Sequence, residues 1–99
     1  MSYQEIIARD GRLIILRELN AQIDGQLNDA SLRRVLDMNG ITRSRDWLVT
    51  QLNRLVELEA IVLKDAGEIL VAAITSAGRD HVEQRAVLGG VSRPSELGG

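Results

Sequence analysis

The chain has no cysteine, no phenylalanine, one histidine and one proline among its 99 residues. Without cysteine it can form no disulfide, no thiolate zinc site and no cysteine nucleophile. Aromatic residues make up 2% of the sequence, too few for the stacking platforms that bind single-stranded nucleic acid. No apolar run approaches the ~20 residues of a membrane-spanning helix, and the N-terminus lacks the apolar segment of a signal peptide. These absences favour a cytoplasmic protein that does not contact a membrane.

Motifs for catalysis and metal binding are also missing. The sequence has no glycine-rich phosphate loop, and His81 has no second histidine or cysteine with which to hold a metal ion. Neighbouring carboxylates such as Glu57 and Glu59 are typical of a solvated surface. We therefore predict no enzyme activity, no metal site and no cofactor.

Length and net charge limit the functional classes that remain. A chain of this size folds as one small domain that buries only about two-thirds of its unfolded surface, so spare apolar surface favours a homodimer. The net charge of -2 argues against a protein that coats nucleic acid through bulk charge, although a local basic face can still bind it.

The first helix is predicted over 3–20. Ser2 and Glu5 have the spacing of a capping box, in which side chains satisfy backbone donors at the start of a helix. Apolar residues extend well around this helix, so it needs cover on more than one side. Gly11 lies in its interior, and we favour a continuous helix over a break there.

Two further helices flank Gly40, which suits the left-handed position that ends a helix. Asn28 is the predicted N-cap of the second helix, which runs to about 39, and Ser44 caps the third, which reaches about 58. The pattern is that of a helix-turn-helix, with the third helix in the recognition position.

Strand-forming residues follow at 61–64 and 69–74, and the short connection over 65–68 predicts a hairpin. Thr75 is then the predicted N-cap of a last helix that reaches about 88. The expected fold is mainly α with a small β-hairpin wing, in the α+β class: a winged helix-turn-helix domain over 1–88. The glycine-rich segment 89–99 is predicted to be a flexible tail.

This order of elements over residues 3–88 resembles the winged-helix regulators of the ArsR and MarR type. The Thr75–Gly78 segment is similar to the Thr-x-x-Gly step that follows the wing in many of them. The segments Met1–Ile6, Ser44–Asp46 and Gly90–Ser95 resemble a family of small winged-helix proteins encoded by Mu-like phages and prophages. That resemblance implies the fold and a bacterial host cytoplasm, but hardly any established activity. The metal-sensing branch of the regulators uses cysteines and histidines that this chain lacks.

Basic residues indicate double-stranded DNA as a partner. Between 33 and 54 there are five arginines against Asp37 and Asp46, a local charge of +3 in an acidic chain. Asp46 and Glu57, however, lie on the predicted outward face of the third helix, where they would repel phosphates. The predicted DNA-contacting residues are Arg33, Arg34, Arg43, Ser44, Arg45, Thr50, Asn53, Arg54 and Lys64. The simpler alternative is a solvated surface whose arginines pair with Asp29, Asp37 and Asp46.

A second hypothesis is a winged-helix module for protein–protein interaction or phage assembly that does not bind DNA. It accounts for the acidic residues of the third helix. Under either hypothesis a two-fold dimer is expected, with an interface formed by Ile7, Ile14, Ile15, Val82, Ala86 and Val87.

Overall fold

In a computed structural model, residues 1–97 are described, and they form four α-helices, a three-stranded antiparallel sheet and a short 3₁₀ helix. The helices are α1 (Tyr3–Ala21), α2 (Asp29–Met38), α3 (Arg45–Glu57) and α4 (Ser76–Val82), and the strands are β1 (Gln26–Asn28), β2 (Ile61–Ala66) and β3 (Ile69–Ile74). The 3₁₀ helix covers Pro94–Leu97. The predicted α+β class is confirmed, and the order of the elements is consistent with a winged helix. Among residues 1–97, no helix combines the length and apolar character needed to cross a bilayer.

All four predicted N-caps are confirmed. The side chains of Ser2, Asn28, Ser44 and Thr75 each accept a hydrogen bond from the backbone N–H three residues later, over 2.8 to 3.2 Å. These short-range contacts satisfy donors that a helix leaves open at its start. They explain why the helices begin where the sequence places them.

The sheet has the strand order β1–β3–β2, with β3 antiparallel to both neighbours. Ala72 at its centre is fully buried and lies opposite Leu27 of β1 and Leu63 of β2. The predicted hairpin is confirmed, and its turn uses Gly67 at a φ of +78°. Strand β1 was not expected, because three residues are too few to show a strand pattern.

The core lies between α1, α2, α3 and the inner face of the sheet. Its fully buried side chains are mostly leucines, among them Leu13, Leu16 and Leu19 of α1 and Leu48, Leu52 and Leu55 of α3. Helix α1 is continuous through Gly11, as expected. Helix α1 is thus covered by both α3 and the chain's C-terminal part, as its wide apolar surface requires.

The last helix is shorter than predicted, because α4 ends at Val82 rather than near residue 88. Gln84 adopts a φ of +63°, which an α-helix does not allow, and the chain turns back towards His81. The buried ring of His81 accepts a hydrogen bond from the Leu88 N–H at Nδ1 and donates one to the Ser92 carbonyl from Nε2. His81 therefore closes the turn that ends the helix.

Residues 89–97, which the sequence assigns to a flexible tail, pack against the rest of the chain in the structure. Val91 is buried in the core, and the Ser92 N–H donates to the Arg9 carbonyl over 3.2 Å while its hydroxyl donates to the Asp10 carboxylate. Leu97 also packs against the core. The folded unit therefore extends beyond residue 88, and the part of the predicted tail at 98–99 lies outside the described residues.

Candidate nucleic-acid interface

The predicted helix-turn-helix corresponds to α2, α3 and the turn between them. Gly40 has a φ of +82°, as expected for the residue that ends α2, and Ile41 is buried beneath the turn. Trp47 in the first turn of α3 packs against the core beside Gly11. These contacts fix α3 with its outer face open to solvent.

The outermost row of α3 is formed by Asp46, Thr50, Asn53 and Glu57, all exposed. The Thr50 hydroxyl donates to the Asp46 carbonyl over 3.0 Å, which leaves its oxygen free to accept. This row offers an amide and a hydroxyl for hydrogen bonds to base edges, together with two carboxylates. The arginines near α3 lie on the two flanks of this row instead.

One flank holds Arg45, whose guanidinium is bound to the buried carboxylate of Asp29 at the start of α2. Arg45 Nε and Nη2 lie 3.0 and 2.9 Å from Asp29 Oδ2. Its positive charge is therefore largely compensated within the protein. The alternative, in which the arginines pair with carboxylates, applies to Arg45 and Asp29, whereas Asp37 and Asp46 form no ion pair within residues 1–97.

Arg43 and Arg33 lie together at the turn. The Arg43 guanidinium lies 5.8 Å from the centre of the Trp47 ring, and the Arg33 Nε donates to the Arg43 carbonyl over 3.1 Å. Arg34 is exposed on α2. Ser44 uses its side chain as the N-cap of α3. The turn therefore presents two ordered guanidinium groups next to the N-terminus of α3, an arrangement suited to phosphate.

The other flank holds Arg54, which lies close to Arg9 and Arg12 of α1, two arginines outside the predicted set of DNA-contacting residues. Arg12 is half-buried, and its Nε donates to the buried side chain of Gln51 over 2.9 Å. Arg9 and Arg12 are three residues apart on one helix, and this spacing was visible in the sequence. Which helix lies opposite them depends on tertiary packing.

Lys64 is exposed on β2 of the hairpin, directly opposite Val71 of β3. Glu68 and Ile69 near the hairpin turn border a cavity of about 230 Å³ that also includes Asp29 and Arg33. The acidic residues Asp29 and Glu68 thus line this cavity together with Arg33.

The residues expected in a dimer interface differ in how far their side chains are exposed. Ile15 is fully buried within a single chain, so it cannot contact a second subunit, and its place in the interface is corrected. Ile7, Ile14 and Val82 are half-buried and pack against the core. Ala86 and Val87 are exposed, and Val87 retains 66% of its accessible surface.

Comparison with known proteins places the chain among phage proteins. No family model matches it. The chain is 34% identical over 90 residues to "Uncharacterized protein gp26" of Escherichia phage Mu, an alignment that covers 91% of this chain and 93% of that protein. The expectation of a Mu-like phage protein is therefore confirmed. The chain belongs to the family of the phage Mu protein gp26.

Proposed function

We propose that this protein is a winged-helix protein that binds double-stranded DNA, as a transcriptional regulator or DNA-associated accessory factor of a Mu-like phage or prophage in the bacterial cytoplasm. The observation that carries the proposal is the order α1–β1–α2–α3–β2–β3 with the sheet order β1–β3–β2. In a winged helix this arrangement leaves the third helix free to enter the major groove beside the hairpin.

The distribution of side chains on α3 supports a division of roles. Arg43 and Arg54 lie towards opposite ends of the helix, where they would meet phosphates on either side of a groove. Thr50 and Asn53 lie on the outermost row and would meet base edges. Carboxylates there are compatible with this role, since Asp and Glu can accept a hydrogen bond from the cytosine amino group.

We propose that the DNA-binding form is a homodimer. Ile7 and Ile14 of α1, with Val82 and the exposed Val87, supply the apolar surface for a two-fold contact. Sedimentation analysis of the wild type and of Val87→Glu tests this. A dimer that dissociates in the variant supports the interface, whereas a wild-type monomer at micromolar concentration contradicts it.

Fluorescence anisotropy of labelled phage DNA fragments tests the proposed function. Arg43→Gln should weaken binding to all fragments alike, because it removes a phosphate contact, whereas Asn53→Ala should reduce discrimination among fragments by about 1–3 kcal/mol. Arg17→Gln, which makes the same charge change at an exposed position of α1, is the control for Arg43→Gln.

The second candidate function is a protein-interaction or assembly module of the phage. The observations that favour it are Asp46 and Glu57 on the outer row of α3 and the ion pair that compensates Arg45. No binding of any DNA fragment at low salt by the folded wild type would contradict the DNA proposal and favour this module.

A further inference from the structure

A pocket of about 550 Å³ lies between the N-terminal half of α1 and the C-terminal half of α3. Arg9 and Arg12 line it from α1, Arg54 lines it from α3, and Gly90 of the C-terminal segment closes one side. We name it the arginine pocket. The pocket forms because residues 89–97 fold back against α1. A mobile tail would not bring Gly90 to this place, so a sequence interpreted as having such a tail does not predict the pocket.

The Arg12 guanidinium is held in place by neutral groups. Its Nε donates to Gln51 Oε1 over 2.9 Å, and its Nη1 donates to the Gly90 carbonyl over 2.7 Å. Gln51 is buried, so this part of the pocket is a fixed surface rather than a flexible side chain in solvent. The hydrogen bonds orient the cation without compensating its charge.

Arg54 points to the same place. A Cβ atom added to Gly90 would lie 3.7 Å from Arg12 Nη1 and 3.8 Å from Arg54 Nη2. The two guanidinium groups therefore flank one point in front of Gly90. Because this glycine has no side chain, the space between the two groups stays open, and its φ of +89° disfavours any other residue at this position.

Within residues 1–97, the positive charge of the pocket is balanced only in part, because three arginines line it with one glutamate. Within residues 1–97, Arg9, Arg12 and Arg54 form no ion pair with a carboxylate. Glu5 lines the pocket with its carboxylate bound to the Ser2 hydroxyl, and the charge of Glu96 is felt by Arg9, so the three guanidinium groups keep a net positive charge against these two carboxylates. The pKa of Arg12 lies below its usual value, first because the group is partly buried and then because Arg54 and Arg9 repel its charge.

Repulsion among three converging cations destabilises the empty pocket and is relieved when an anion enters it. Guanidinium groups donate in a planar fork that matches two oxygens of a phosphate. We propose that the arginine pocket binds a phosphate group. This inference deepens the proposed function, because a backbone phosphate held there would fix the position of α3 in the groove.

Titration with inorganic phosphate at constant ionic strength tests the pocket itself. Arginine Nε–Hε and Gly90 amide signals in ¹⁵N NMR spectra should shift saturably in the wild type. Arg54→Gln and Arg9→Gln should each weaken the apparent affinity by about tenfold, the loss expected for one charged hydrogen-bonding group. Arg17→Gln is the control and should behave as wild type. Arg54 is exposed, so its substitution leaves the fold intact.

Binding to duplex DNA at several salt concentrations identifies the source of the phosphate. If the DNA backbone supplies it, Arg54→Gln should reduce the slope of log K against log salt by about 1. Phosphate binding in the pocket without any DNA binding would support a free-phosphate site and overturn the DNA function. If the wild type binds DNA while both pocket variants match Arg17→Gln, and phosphate shifts no pocket signal, the pocket proposal is wrong and the DNA function stands.

Discussion

Gly11 of α1 lies directly against the indole ring of Trp47 on α3, so closely that a Cβ atom at position 11 would be 2.9 Å from Trp47 Cη2. This close approach explains a glycine in the interior of a continuous helix, where it costs about 1 kcal/mol relative to alanine. The contact sets how near α3 lies to α1.

Gly11→Ala should therefore destabilise the protein although alanine favours helix. Moving the indole ring costs about 1–3 kcal/mol, which exceeds the gain in helix propensity, and the expected net loss is about 1 kcal/mol. Urea denaturation followed by tryptophan fluorescence measures it. Gly89→Ala, with no atom within 4 Å of the added Cβ, is the control. A Gly11→Ala variant more stable than the wild type would contradict the packing described.

Arg45→Ala should lower stability because it leaves the buried carboxylate of Asp29 with only the Ala30 N–H as a partner. Arg45 is half exposed, so solvent screens the pair, and we expect a loss of about 1 kcal/mol.

In DNA binding, Arg45→Gln should have a smaller effect than Arg43→Gln, since the charge of Arg45 is already compensated. An equal or larger loss of DNA affinity in Arg45→Gln would show that the ion pair opens when DNA binds.

His81→Ala should detach the segment that follows α4. The substitution leaves the Leu88 N–H and the Ser92 carbonyl without their partner and opens a cavity, with an expected cost of about 2–4 kcal/mol. Hydrogen exchange at the Ser92 amide, which is bonded to the Arg9 carbonyl, should accelerate more than exchange in α3. Ser76→Ala, at an exposed position of α4, controls for changes in that helix. Unchanged Ser92 exchange would contradict the anchoring role of His81.

Glu59→Gly should stabilise the protein by about 0.5–1 kcal/mol, because Glu59 has a φ of +61° at the end of α3. The Glu59 and Ala60 N–H groups donate to the Val56 and Leu55 carbonyls, the pattern of a Schellman motif. Thermal unfolding measures the change. Glu59→Ala keeps the strain and should not be stabilised to the same extent; equal stabilisation in both variants would refute the conformational explanation.

The helix starts and the hairpin could be predicted because their causes are local. An N-cap such as Ser44 acts on a donor three residues away, and the turn at Gly67 depends on the conformation of one residue. Strand β1 and the packing of the C-terminal segment depend on distant partners, Ala72 for Leu27 and Asp10 for Ser92. No short window of sequence contains both members of these pairs.

The candidate interface could be predicted only in part. The sequence shows that arginines are concentrated around the helix-turn-helix, but their orientation comes from packing. Arg45 faces Asp29, whereas Arg54 joins Arg9 and Arg12 across two helices. Ile15 was expected at a subunit interface because helical periodicity cannot separate a buried face from a second apolar face when the stripe is wide.

DNA binding through α2 and α3 is tested most directly by mapping backbone amide shifts in ¹⁵N NMR spectra as a phage DNA duplex is added to the wild type. We expect the largest shifts in the turn at 40–44 and on the exposed face of α3, including Thr50 and Asn53, with smaller shifts at Gly90. Shifts confined to the sheet and α4, or no shifts at low salt, would contradict DNA binding through the helix-turn-helix.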